Sequence, residues 1–113
     1  MQDIGLWLAP AGALAIWLAM TRLGKVSRSK AHELVAGGAR LIDVRTEAEF
    51  ASGHVRGATN VPLDRLGRLA AQLASEGKPL VVYCASGVRS AVAKRALRRA
   101  GAEVYDLGAM SRW

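Results

Sequence analysis

"LVVYCASGVRSAVAKRALRRAG", residues 80–101, reads as a strand, a short loop and a helix in immediate succession. Residues 80–83 are a continuous β-branched and aromatic run, the composition of a strand covered on both faces of a parallel sheet. From Ser90 the pattern changes period. Val92, Ala93, Ala96, Leu97 and Ala100 fall on one helical face, Lys94, Arg95, Arg98 and Arg99 fall on the other, and Gly101 ends the helix. A strand that feeds a helix through a glycine-bearing loop is the building unit of open α/β sheets, whose ligands bind beyond the carboxyl ends of the strands. The loop in question holds the only cysteine of the chain.

The same alternation extends in both directions. Upstream, Ser27 is placed to cap a helix through about Ala36 with Gly37 as its stop, and "RLIDV" follows as a short buried strand. Thr46 stands three residues before Glu49, the spacing of a capping box, which predicts a short helix to Ser52 before Gly53. "ATNVP" is a second short strand that ends at Pro62. Asp64 is the expected cap of a further helix with Leu66, Leu69 and Leu73 on one face, closed by the "EGKP" turn. Downstream, "AEVYDL" supplies a last strand. The expected fold is α/β, with helices on both sides of a mainly parallel central sheet.

The loop itself, Cys84, Ala85, Ser86, Gly87, Val88, Arg89 and Ser90, carries the chemistry. Gly87 permits a sharp turn, and the amides of residues 85–90 can then converge on the sulfur or on an anion beside it, at a helix N-terminus. Such a cradle, with Arg89 nearby, favours a thiolate and makes Cys84 a nucleophile that needs no histidine base. The alternative is a cysteine acting as a small buried hydrophobe. The glycine, arginine and serine that follow Cys84 argue against it, because a cation at a helix N-terminus is unfavourable to the helix and is explained by a bound anion.

Composition bounds the rest. A chain of 113 residues, 51% hydrophobic and 22% charged, has room for one small globular domain. A single cysteine cannot form an internal disulfide, which leans towards a reducing compartment. The apolar excess is concentrated in residues 4–20, "IGLWLAPAGALAIWLAM", which contain no ionisable side chain. As a helix this segment spans roughly 25 Å, and recruiting residues 21–23 with Arg22 snorkelling brings it near the roughly 30 Å hydrocarbon core. Pro10 is tolerable near one end. The competing readings are a buried core helix and a signal peptide, whose cleavage would leave a periplasmic domain. "MQDIG" lacks a basic n-region, however, and no small-residue cleavage site precedes Arg22. Residues 1–23 are therefore expected to be a single-pass membrane anchor and residues 24–113 a separate domain. Arg22, Lys25, Arg28 and Lys30 follow the segment, so the positive-inside rule puts that domain on the cytoplasmic side of an inner or plasma membrane. The net charge of +7 suits an anionic partner. No aromatic residue is interleaved with the basic ridge of residues 94–99, and no nucleic-acid partner is expected.

Two stretches carry a family resemblance. "LIDVRTEAEFASGHVRGATNVPL", residues 41–63, resembles the signature of the single-domain rhodaneses, thiosulfate sulfurtransferase-like proteins, through Asp43, Arg45, Glu49, Phe50, Gly53, His54, Gly57, Ala58, Asn60 and Pro62. "VVYCASGVRS" resembles the strand, nucleophile and C-x-x-G-x-R loop of the same family, and the match covers most of residues 27–113. The resemblance implies a rhodanese-like three-layer α/β domain and a sulfurtransferase without metal or cofactor. Cys84 would be the nucleophile, residues 85–89 the cradle, and Arg89 a ligand of a small anionic sulfur donor. The acceptor would be cyanide or a thiol, which a protein can supply. Asp43 and Arg45 would hold the sheet end and its loop, and His54 would be structural. Related phosphatases place five residues between nucleophile and arginine, whereas four separate Cys84 from Arg89. Ala85 stands where many members have a basic residue, which argues less for thiosulfate as the natural donor. Ala109 stands where a second glycine is usual. The alternatives to a sulfurtransferase are a non-enzymatic rhodanese-like membrane adaptor and, against the loop length, a phosphatase or arsenate reductase.

Overall fold

The structure, a computed structural model, describes residues 11–17 and 24–113. Its elements in chain order are α1 (Arg28–Ala36), β1 (Arg40–Asp43), α2 (Glu47–Ala51), β2 (Thr59–Asn60), α3 (Leu63–Ser75), β3 (Leu80–Cys84), α4 (Val88–Arg99), β4 (Val104–Ala109) and a closing 3-10 turn, Met110–Arg112. The sheet order is β2-β1-β3-β4, with every pairing parallel. Each crossover between parallel strands therefore carries a helix or loop over a face, which produces the expected three layers.

Strand β3 lies in the middle, and all five of its residues are buried. Its pleat divides the core. Leu80, Val82 and Cys84 face α3 and α4, joining Ile42, Leu66, Leu73, Ala93 and Leu97, while Val81 and Tyr83 face α1, joining Ala31, Leu41, Val55 and Leu107. The chain end closes the second layer. Trp113 stacks on His32 at 3.8 Å, and its carbonyl lies 2.8 Å from the His32 ring Nε2. Ala109 pairs with Cys84 across the sheet at φ −74°, a conformation that needs no glycine, while the neighbouring Gly108 at φ +91° absorbs the bulge in β4.

Capping follows the sequence closely. Ser27 Oγ accepts from the Lys30 amide at 3.2 Å, and the Thr46/Glu49 capping box is complete. Three expectations change. The cap of α3 is Pro62 rather than Asp64, because the Leu63 amide is already satisfied by the Val44 carbonyl and the helix begins two residues early. Asp64 instead sits in the first turn, where its charge suits the helix dipole. Val92 and Ala100 are exposed, since the buried stripe of α4 is Ser90, Ala93 and Leu97, Val92 lies about 100° away from it and Ala100 is the C-cap. The second strand shrinks to Thr59–Asn60. Residues 11–17 are helical and exposed, and among the described residues no helix is long and apolar enough to cross a membrane. The remainder of the anchor expected over residues 1–23, apart from 11–17, lies outside the described residues.

Tyr83 ties the segment before β2 to the central strand, because its hydroxyl accepts from the Val55 amide at 3.1 Å inside the α1-side core. Burial pushes its phenol up to about 12. A folded-state value raised above the ordinary 10 contributes stability that is present below pH 10 and lost as pH rises towards 12. Tyr83→Phe is expected to cost about 1–3 kcal/mol at neutral pH by orphaning the Val55 amide. It should also flatten the alkaline limb of stability, both effects being read by denaturant melts from pH 7 to 12.

Candidate active site

The site begins where β3 ends. Cys84 is its last residue and has no exposed surface. Gly87, at φ +104° and ψ −8°, reverses the chain into α4 without a side-chain cap. An L-residue is strained at that angle, so the glycine predicted to make the turn is required there. With no capping side chain, amides at the helix start turn to the sulfur. Gly87 N–H donates to Cys84 Sγ at 3.0 Å and Ser90 N–H donates at 3.3 Å. Ser90 is buried, and its hydroxyl donates to the Gly87 carbonyl at 3.1 Å, closing the loop on itself. Ala85 and Ser86 are exposed at its mouth, and Val88 is half-buried. Of the amides at 85–90 that the sequence offered, those of Gly87 and Ser90 donate to the sulfur. Both donors stand at the positive end of α4, a position suited to binding an anion.

The Arg89 guanidinium makes a two-pronged ion pair with Glu49, at 2.7 Å and 3.0 Å. Glu49, which the sequence marks as a helix cap and as part of the family signature, was given no role beside the loop. The signal was present in that same capping box: Thr46 N–H and Oγ1 donate to Glu49 Oε1 at 3.1 Å and 3.0 Å, fixing the carboxylate that Arg89 meets. Hydrogen bonding from Arg89, followed by that from Thr46, lowers the Glu49 carboxyl to about 2. The Arg89 guanidinium is raised chiefly by Glu49, and the neighbouring Cys84 sulfur adds to the effect.

Asp43 and Arg45 hold the adjoining sheet end. Arg45 Nε and an η nitrogen donate to the Asp43 carboxylate at 2.7–3.1 Å, its backbone amide donates at 2.9 Å, and the same η nitrogen reaches the Gly53 carbonyl at 2.7 Å. Both residues are buried. Asn60 extends the clamp by donating to the Asp43 and Arg45 carbonyls, each at 3.0 Å. His54 stacks on Phe50 and its Nδ1 bonds the Phe50 carbonyl at 2.9 Å, which agrees with a structural histidine. Beside the loop, an open cleft of about 620 Å³ runs between Thr46, Ala48, Leu63 and Arg65 and has Arg89 on its wall. Among the described residues, no group of three or more His, Cys, Asp and Glu side chains is placed to hold a metal.

The Glu49 shift has a definite sign. A carboxyl lowered from 4.5 to about 2 contributes stability that is present above pH 4.5 and lost as pH falls towards 2. Glu49→Gln is therefore expected to melt at a temperature less sensitive to pH across that interval than the wild type, as measured by thermal melts at constant ionic strength.

Comparison with known proteins agrees with this geometry. A family profile described as "Rhodanese-like domain" matches residues 27–113. The chain is 42% identical over 77 residues to the uncharacterized protein YqhL of Bacillus subtilis, the match spanning 66% of this chain but only 60% of that one. It is 38% identical over 101 residues to thiosulfate sulfurtransferase 16, chloroplastic, of Arabidopsis thaliana, spanning 78% of this chain and 84% of the relative. Among solved structures, the human single-domain sulfurtransferase TSTD1 superposes with a TM-score of 0.63 at 33% identity, over 80% of this chain and 94% of that one. On the profile match, the shared sheet architecture and the two sulfurtransferase relatives, the chain belongs to the rhodanese-like domain family.

Proposed function

We propose that this protein is a sulfurtransferase that carries sulfane sulfur as a persulfide on Cys84. The observation that carries the reading is the pair of amides, Gly87 and Ser90, that donate to Sγ from the N-terminal end of α4. Sequence kinship with a thiosulfate sulfurtransferase supports the same chemistry. With thiosulfate as donor, the Cys84 thiolate attacks the outer sulfur, the sulfur–sulfur bond of the donor breaks, and sulfite leaves with the bonding pair. A Cys84 persulfide remains, its terminal charge facing the loop amides. An acceptor thiolate, or cyanide, then attacks the outer sulfur and returns Cys84 as thiolate. No proton transfer is needed at either step when both nucleophiles enter as anions. The chain has no second cysteine, so the acceptor is another molecule.

The four-residue interval between Cys84 and Arg89 supports sulfur over phosphate. Incubation with thiosulfate, followed by intact mass measurement, is expected to add one sulfur atom to the wild type and none to Cys84→Ser. Thiocyanate formation from added cyanide should vanish in the same variant. A wild type that gains no sulfur and makes no thiocyanate overturns the reading in favour of a binding adaptor.

The apolar segment at 4–20 supports a membrane location, with the rhodanese-like domain on the cytoplasmic side. Leu14, Ile16 and Trp17 are exposed on the helical residues 11–17, a display of apolar surface suited to lipid. Lys25, one of the cations behind the orientation argument, is buried in the folded domain, but the positive-inside rule acts on the chain during insertion. The full-length protein is expected to resist alkaline carbonate extraction and to require detergent for release, and extraction by carbonate alone would refute the anchor.

A further inference from the structure

Lys25 precedes the residues matched by the family profile, yet its side chain is only 1% exposed. It enters the sheet through a single parallel bridge to Asp106 in β4. Its ammonium makes an ion pair with the Asp106 carboxylate at 2.5 Å, and Asp106 is itself 2% exposed. The same ammonium donates to the Gly87 carbonyl at 2.9 Å. That contact connects the start of the domain to the residue on which the cradle turns. Gly87 is thus held on both sides of its Cα, with its N–H on the sulfur and its carbonyl taken by Lys25 and Ser90 Oγ.

Asp106 is in turn fixed by accepting the Gly108 amide at 2.8 Å, so the ammonium has a rigid counter-charge. One residue earlier, the Gly24 carbonyl accepts from Lys94 of α4 at 3.2 Å. The chain leaving the N-terminal segment is therefore tied to the active-site helix at two consecutive residues.

We propose that Lys25 is a positioning residue for the Cys84 cradle, setting the Gly87 peptides and thereby coupling the segment that precedes the domain to the sulfur-bearing loop. This rests on the sulfurtransferase reading for its effect on catalysis, but its effect on the loop is independent of that reading. A residue needed only for stability would act by leaving its partner as an unpaired buried charge when removed. Lys25→Met leaves the buried Asp106 carboxylate without a counter-charge, which is costly by itself, and Asp106→Asn alone does the same to the Lys25 ammonium. Lys25→Met combined with Asp106→Asn removes both charges and keeps an acceptor for Gly108.

The experiment uses the full-length protein in detergent, with thiosulfate as donor. Amide hydrogen exchange reads the loop, and the rate of Cys84 persulfide formation reads the chemistry. The Lys25→Met/Asp106→Asn protein is expected to melt near the wild-type temperature, to exchange the Gly87 and Ser90 amides at least about tenfold faster, and to form persulfide about tenfold more slowly, as for loss of a charge-assisted hydrogen bond. The proposal is overturned if the double variant keeps wild-type exchange there, or if its faster exchange extends equally to amides remote from the loop, as a general loss of stability would produce. A wild type that forms no persulfide while the exchange pattern holds removes the sulfurtransferase reading and leaves the positioning role standing.

Discussion

Strand β3 is hydrogen-bonded to β1 on one side and β4 on the other, and it is covered on both faces. A strand so enclosed cannot leave buried backbone groups unpaired, so its exit is as constrained as its interior. At Cys84 the ladder stops, and the chain must turn into α4 before its amides find further partners. Gly87 makes the turn possible, and the helix that follows has no side-chain cap. The orphan donors of its first turn are satisfied in part by the sulfur. Nucleophile and cradle are thus products of one requirement, the backbone accounting at the end of a central parallel strand.

The ion pairs near this loop differ in kind. Asp43–Arg45 and Lys25–Asp106 are almost wholly buried, and the loss of one partner from such a pair costs about 3–5 kcal/mol, so these pairs act as fixed supports. Arg89–Glu49 has about a third of each side chain exposed. Pairs with such access to water contribute little net stability, so an incoming anion can compete for this one at modest cost. The arrangement separates scaffold charges from an exchangeable charge beside the sulfur.

Much of the fold was legible in the residues because short-range physics sets it. Ser27, Thr46 and Glu49 cap helices through contacts three residues apart, and the run at 80–83 is a central strand because its composition suits a surface without a solvent side. Family resemblance in residues 41–63 and 80–90 extended that reading to the three-layer architecture. One miss was imposed by a distant neighbour and one arose within a helix. Pro62 rather than Asp64 starts α3 because the Val44 carbonyl takes the Leu63 amide. Val92 lost its place in the core to Ser90, whose hydroxyl is satisfied by Gly87 and so tolerates burial.

By itself, the sequence determined where the reactive sulfur sits: at the end of an apolar strand, four residues before an arginine, with a glycine in the turn. Those are properties of adjacent residues and need no distant contact. Tertiary structure alone decided the partners of the surrounding charges. Glu49 lies 40 residues from Arg89, and Lys25 lies 62 from Gly87, separations over which no local pattern constrains which charge meets which. Only the parallel stacking of β1, β3 and β4 brings those side chains to the same end of the sheet, where ion pairing offsets the cost of their desolvation.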